Sequence, residues 1–324
     1  MGRVATAAGV GVLLLALSTT SGAEPSIWYR ASHPGARAEA RLLRAVERML
    51  DGETQSEGDP ATARDFARAA VAMFDLTKLP PLEDPRLACA MARALVGAEL
   101  GRGREAERLL EGAIPKLPEG TLLATAWGEL GRARAERGDH AGARDAETRV
   151  LELAVEPEER ALAYYARARA ELRTGEVARA AKDFQRAGAD APTELVRLLA
   201  RYGAGLALER NGDLPGAWAA LEPAVAARLP LSHYISADPL ELEGAFEPPY
   251  ELDYVKALAW LARARRTADV DERRAALEEA LRRWDGYLAS APPSEPWLVN
   301  ARSLRERAAA ELRKLPTGKS RHAR

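Results

Sequence analysis

Residues Tyr164–Pro192 read YYARARAELRTGEVARAAKDFQRAGADAP. Two runs with helical periodicity meet at Gly175, and Pro192 closes the second. Gly175 has counterparts at a step of 37 residues: Gly138 in RGDHAGA, Gly101 in LGRGREA and Gly212 in NGDLPGA. Other positions keep the step. Ala106, Ala143, Ala180 and Ala217 follow the glycines by five residues. Leu110, Glu147, Phe184 and Leu221 follow by nine, and Ala113, Val150, Ala187 and Ala224 by twelve. Gly, Ala and bulky positions held in phase over four periods define an internal repeat.

The spacing has a mechanical meaning. A Gly after an apolar-periodic run ends a helix in the left-handed conformation that other residues adopt at a cost. Acidic Asp139, Glu176 and Asp213 follow directly, where a new helix start favours negative charge. The Ala five residues on must be small because the two helices approach closely there. One such hairpin has too little core to stand alone, so neighbours must stack.

These residues resemble the tetratricopeptide repeat. Trp127, Leu130, Gly131, Gly138, Ala143 and Val150 carry the likeness in one copy, and Tyr164, Ala168, Gly175, Ala180, Phe184, Ala187 and Pro192 in the next. The family unit is usually 34 residues, so the turns here are about three residues longer, and Glu147 stands where a bulky residue is expected. The expected fold is all-α: a right-handed superhelical stack of antiparallel helical hairpins, a TPR-like α-solenoid over residues 37–315. Outside the clean copies, helices are expected at Arg37–Leu50, Ala61–Phe74, Asp253–Arg265, Asp271–Ala289 and Trp297–Leu315. That makes about six hairpins and a capping helix, with residues 316–324 a disordered basic tail.

Composition agrees. Hydrophobic residues make up 47% of the 324, charged residues 29% and aromatics 6%, with much of the apolar content Ala. Strand-forming clusters are nearly absent. The net charge of −1 supplies no global field for nucleic acid or an anionic membrane. Arg and Glu alternate along the helices, the pattern of a solvated, locally paired surface.

At the N-terminus, a short positive region and an apolar run precede small residues Ser21 and Ala23, which reads as a signal peptide over residues 1–23. Residues 24–36 form a leader. Export to the periplasm or medium is expected; a retained N-terminal anchor is the alternative, and no span is expected in the mature chain. The lone Cys89 lies on an Ala-rich helix and reads as a buried thiol.

Residues 230–254 break the repeat phase. They hold six acidic residues, no Lys or Arg, and the aromatics Tyr234, Phe246, Tyr250 and Tyr254, of which the first three are the candidate contacts. A connection this long is either a binding element or a surface excursion. The four His are scattered, and no nucleophile elbow, phosphate loop or metal-ligand spacing occurs. Neither catalytic residues nor metal nor cofactor is expected.

The resemblance implies a scaffold that takes a partner protein or peptide in a concave groove lined by the first helix of each hairpin. Mapped onto these copies, the groove candidates are Arg132, Tyr165, Arg169, Tyr202 and Arg210. The family's chaperone-tail binding uses Lys and Asn on this surface, and these first helices have neither. The alternatives are a solute- or glycan-binding sensor, or a hydrolase accessory protein, with residues 230–254 as its site. A structural assembly role is a third.

Overall fold

The computed structural model describes residues 44, 46, 60–77, 82, 84–98, 100–226 and 250–316. The expected signal peptide, the leader, nearly all of the first expected helix, residues 230–249 of the insertion and all but the first residue of the tail lie outside them. Among the described residues there are twelve α-helices and no strand. They are α1 (Pro60–Thr77), α2 (Pro85–Gly97), α3 (Gly103–Ala113), α4 (Thr121–Glu136), α5 (His140–Leu153) and α6 (Pro157–Arg173). Then come α7 (Val177–Ala189), α8 (Glu194–Arg210), α9 (Leu214–Ala226), α10 (Glu251–Arg266), α11 (Val270–Ser290) and α12 (Leu298–Lys314). The fold is all-α, and the expected helices outside the clean copies match α1, α10, α11 and α12 to within three residues at each end. No described helix is long and apolar enough to cross a membrane.

The repeat glycines build one turn. Gly101, Gly138, Gly175 and Gly212 have φ of 68°, 78°, 82° and 82°. At the last three the bonding is the same. The Gly N–H donates to the carbonyl three residues back, and the next N–H donates to the carbonyl five back, as in Asp139 to Arg134 (2.9 Å), Glu176 to Glu171 (2.8 Å) and Asp213 to Leu208 (2.9 Å). These bonds satisfy carbonyls that a helix end would otherwise leave unpaired. Asp139 and Asp213 then cap the next helix, accepting from the N–H of Gly142 and Gly216 at 2.9 Å. A Cβ at either of those glycines would collide with the capping carboxylate.

The chain divides into two compact units, residues 1–197 and 198–324, with the boundary inside α8. In the first unit each helix from α1 to α6 packs on its successor. Ala106, Ala143 and Ala180 are buried at the hairpin crossings. Their small size lets the backbones approach, and tight packing there supplies dispersion contacts along with burial. Cys89 is buried among the α2 residues, and burial pushes its thiol up to about 12. Ion pairs lace successive hairpins at the rim: Arg102 with Asp75 (2.8 Å), Arg134 with Glu107 (3.0 Å), and Arg144 with Glu176. Each is partly exposed and contributes less than about 1 kcal/mol.

In the second unit α9, α10, α11 and α12 pack in succession. Ala217 is buried, and Gly205 lies so close to Leu221 that a Cβ on it would meet Leu221 Cγ at 2.6 Å. Gly205 is one period from Ala168 and two from Gly131, so the repeat keeps a small residue here.

Candidate functional site

In the first unit the candidates gather around Glu147. This residue takes the place that Phe184 holds one copy later, and like Phe184 it is buried, with 5% exposure. Its Oε1 lies 2.7 Å from where a Cβ on Gly131 would stand, so the glycine makes room for the carboxyl group. Burial, with Glu129 adding, pushes its pKa to about 8, against the pull of Arg132, Arg167 and Arg169. Near neutral pH the acid is held mostly protonated. Arg132 is exposed on α4 and pairs with Glu129 at 3.2 Å. Arg169 sits one period later on α6, half-buried, its guanidinium 6.0 Å from the Tyr165 ring centroid.

Tyr165 itself is interior. It is buried, with its ring edge-on to Phe184 at 5.7 Å and 66°. An open face was expected for it; the aromatic pair gains more from leaving water than a lone ring gains at the surface. On another side of α6, Arg167 bonds Asp183 at 2.6 Å and Thr148 at 3.3 Å. Arg167 and Arg186 lie 5.6 and 5.3 Å from the Tyr164 ring centroid. Glu171 is buried beside them, its Oε2 making no hydrogen bond among the described residues, and burial raises its pKa to about 7.

The second unit holds the remaining described candidates, and it holds them inside. Tyr202 is buried, and burial raises its phenol pKa. The Arg210 side chain is 1% exposed and donates to Glu251 Oε1 at 2.9 Å, whose side chain is 6% exposed. Its guanidinium lies 4.8 Å from the Trp297 ring centroid and 5.3 Å from that of Tyr254. Here too an open face was expected. The mapping failed because α10 and the residues leading into α12 cover the end of α8, a cover that the repeat phase does not encode.

Around Arg210 the network continues. Tyr254 donates to Glu209 Oε2 at 2.6 Å, and Asn300 Nδ2 donates to Glu209 Oε1 at 3.3 Å. Tyr250, at the start of α10, donates to Glu295 Oε2 at 2.8 Å. Tyr254 packs edge-on to Trp284 and Tyr287, with centroids 4.6 and 4.9 Å away. Arg210 Nε, Trp284 Nε1 and the Tyr287 hydroxyl are buried and make no hydrogen bond among the described residues. This is a polar–aromatic core; it presents no nucleophile–base pair. Tyr234 and Phe246 lie outside the described residues.

Sequence reading marked Glu147 only as a departure from the repeat, counted Glu251 among the acidic residues of the insertion and left Glu171 and Glu209 among the solvated charges; the structure buries all four. For Glu147 a signal existed, since it breaks the bulky position of the repeat. For the others the partners come from distant helices, with no local trace.

No family model matches the chain, and no curated protein matches it by sequence. Solved structures do resemble it. The nearly identical TPR-like repeats of a Podosopora anserina protein match at 19% identity and a TM-score of 0.41, over 71% of this chain and 96% of that one. A tetratricopeptide repeat protein of Parabacteroides merdae matches at 14% identity and 0.39, over 82% and 99%. A TPR repeats protein of Bacteroides fragilis matches at 14% and 0.26, over 82% and 98%. The chain's own turns and crossings make its hairpins tetratricopeptide-like: a positive-φ Gly, an acidic residue after it, and a buried Ala five positions on, at a constant step.

Proposed function

We propose that the chain is a non-catalytic scaffold that binds a partner protein through the Arg132 and Arg169 side of its first unit. The carrying observation is that these two guanidiniums occupy the same repeat position on consecutive first helices, near a buried Glu147 that burial keeps largely neutral. Arg132 is exposed and its partner Glu129 lies on the same helix, so carboxylates of a partner protein can compete for it, and guanidinium recognises carboxylates through paired hydrogen bonds. Tetratricopeptide-type hairpins serve as protein-binding surfaces, and nothing in the described core calls for chemistry. Tyr165, Tyr202 and Arg210 are buried and are not offered as its contact points.

The test is crosslinked pulldown of the intact protein from its own cells, with an Arg132→Glu, Arg169→Glu variant alongside. Loss of the recovered partners from the variant supports the surface. Recovery of the same partners at the same yield refutes it. We infer that residues 1–23 direct export. The mature chain should then begin at Glu24 and be found outside the cytoplasm, which intact-mass measurement on fractionated cells checks.

A further inference from the structure

A cleft in the first unit gathers cations that the Arg132–Arg169 surface does not use. Arg104, Glu107 and Arg108 of α3 and Arg137 at the end of α4 line it, and its volume is about 420 Å³. Gly103 opens α3 and is buried; a Cβ there would meet Ala133 O at 3.2 Å and Arg137 Cγ at 3.4 Å. The missing side chain lets Arg137 lie against the start of α3. The carboxylate in the lining, Glu107, is held by Arg134 at 3.0 Å and by Arg137. The other acids of α3 are engaged as well: Arg102 takes Glu105 at 2.7 Å, and Arg134 takes Glu111 at 3.1 Å. Arg104 and Arg108 are exposed and make no ion pair among the described residues. The lining therefore sets three guanidiniums against one carboxylate, a formal charge of +2.

A single exposed guanidinium is well solvated and calls for no partner. Three unfavourable conditions coincide here. Arg104 and Arg108 are i, i+4 neighbours on α3, so their like charges repel. Arg104 stands in the first turn of that helix, where the dipole disfavours a cation. Arg137 adds a third guanidinium from another helix. The repeat does not demand any of this. One period on, the positions of Arg104, Arg108 and Arg137 hold Ala141, Asp145 and Thr174. A local rule broken in one copy, with no gain to packing, marks a functional position. An anion seated among the three side chains offsets the repulsion and the dipole together.

We propose that this cleft binds a phosphate dianion, free or as a monoester, through Arg104, Arg108 and Arg137. Guanidinium forks match phosphate oxygens in geometry as well as in charge. Two arginines one turn apart, with Cβ atoms about 5–6 Å from each other, reach two of the oxygens. Arg137 serves the third from across the cleft. A phosphoryl group carries about −1.5 to −2 near neutral pH, which meets the charge of the lining as a single carboxylate does not. The cleft has more than ten times the ~30 Å³ share of one water, so the group esterified to the phosphate also has room.

The experiment is isothermal titration calorimetry of the full-length protein with inorganic phosphate and, separately, with phenyl phosphate, at an ionic strength fixed by sodium chloride. Saturable binding at one site is expected. Tighter binding of phenyl phosphate assigns the cleft to an ester and equal binding assigns it to the free ion; both support the site. Arg104→Gln with Arg108→Gln, two exposed substitutions, should weaken binding at least ~tenfold while circular dichroism stays unchanged. Arg149→Gln, at an exposed arginine on α5, should leave binding as it is. No saturation with millimolar ligand overturns the proposal, as does undiminished binding by the double variant. Equal weakening by Arg149→Gln shows diffuse attraction of counter-ions and overturns it too.

Discussion

The two units solve one problem, how to hold helices together, with different materials. In the first, helices cross at Ala106, Ala143 and Ala180 and most ion pairs sit at the rim, partly in water. In the second, an Arg–Glu pair is shut inside a ring of Tyr254, Trp284, Tyr287 and Trp297. Small-residue packing repeats easily, because each crossing needs only its own neighbours. A buried ion pair is a single construction, since each charge depends on one particular partner from another helix. The regular unit should therefore tolerate loss of a charge, and the second unit should not.

The strongest way to break that comparison is Arg210→Met. It leaves Glu251 buried without its partner and should destabilise the second unit by about 3–5 kcal/mol. Removing both charges, as Arg210→Met with Glu251→Leu, should return much of the loss. Denaturant midpoints followed by tryptophan fluorescence report both, and Arg102→Met in the first unit should move the midpoint by less than about 1 kcal/mol. If Arg210→Met proves as mild as Arg102→Met, the contrast between the units is wrong.

A smaller effect is expected from the repeat's small position. Gly205→Ala meets the branched Leu221 at 2.6 Å and should cost about 1–3 kcal/mol. Gly131→Ala meets the tip of Glu147, so the loss there should be largely recovered in Gly131→Ala with Glu147→Ala. Thermal melts of the three variants separate the cases.

The last expectation concerns pH. In the first unit Glu147 and Glu171 are raised from an ordinary 4.5 to about 8 and about 7. The folded state keeps protons there that the unfolded chain has released, so between pH 4.5 and about 8 it binds more protons. Stability is then fully present below the unfolded value and falls as pH rises, by at most about 1.4 kcal/mol per pH unit for each group. Melting at pH 5 should exceed melting at pH 8.5, and Glu147→Gln should flatten the dependence. A first unit whose melting temperature rises over this range would rule out protonated, buried carboxyls.

Much of the first unit was legible in residues alone. Gly138, Gly175 and Gly212 announce their turns because only glycine takes positive φ at low cost, and Ala143 and Ala180 announce crossings because nothing larger fits. These are local demands, so they leave marks at a fixed step. Tyr165, Tyr202 and Arg210 were legible as positions but not as environments. The burial of Tyr165 depends on Phe184 and that of Arg210 on Tyr254, Glu251 and Trp297, residues 19 to 87 positions further along the chain.

The sequence by itself determined the helices, their turns and the 37-residue unit, because caps, left-handed glycines and apolar periodicity act within a few residues of one another. Only the tertiary structure decided which charges are inside. Whether a carboxylate is solvated like Asp75 at the rim or enclosed like Glu147 and Glu251 depends on what distant helices lay over it, and desolvation is a property of that enclosure.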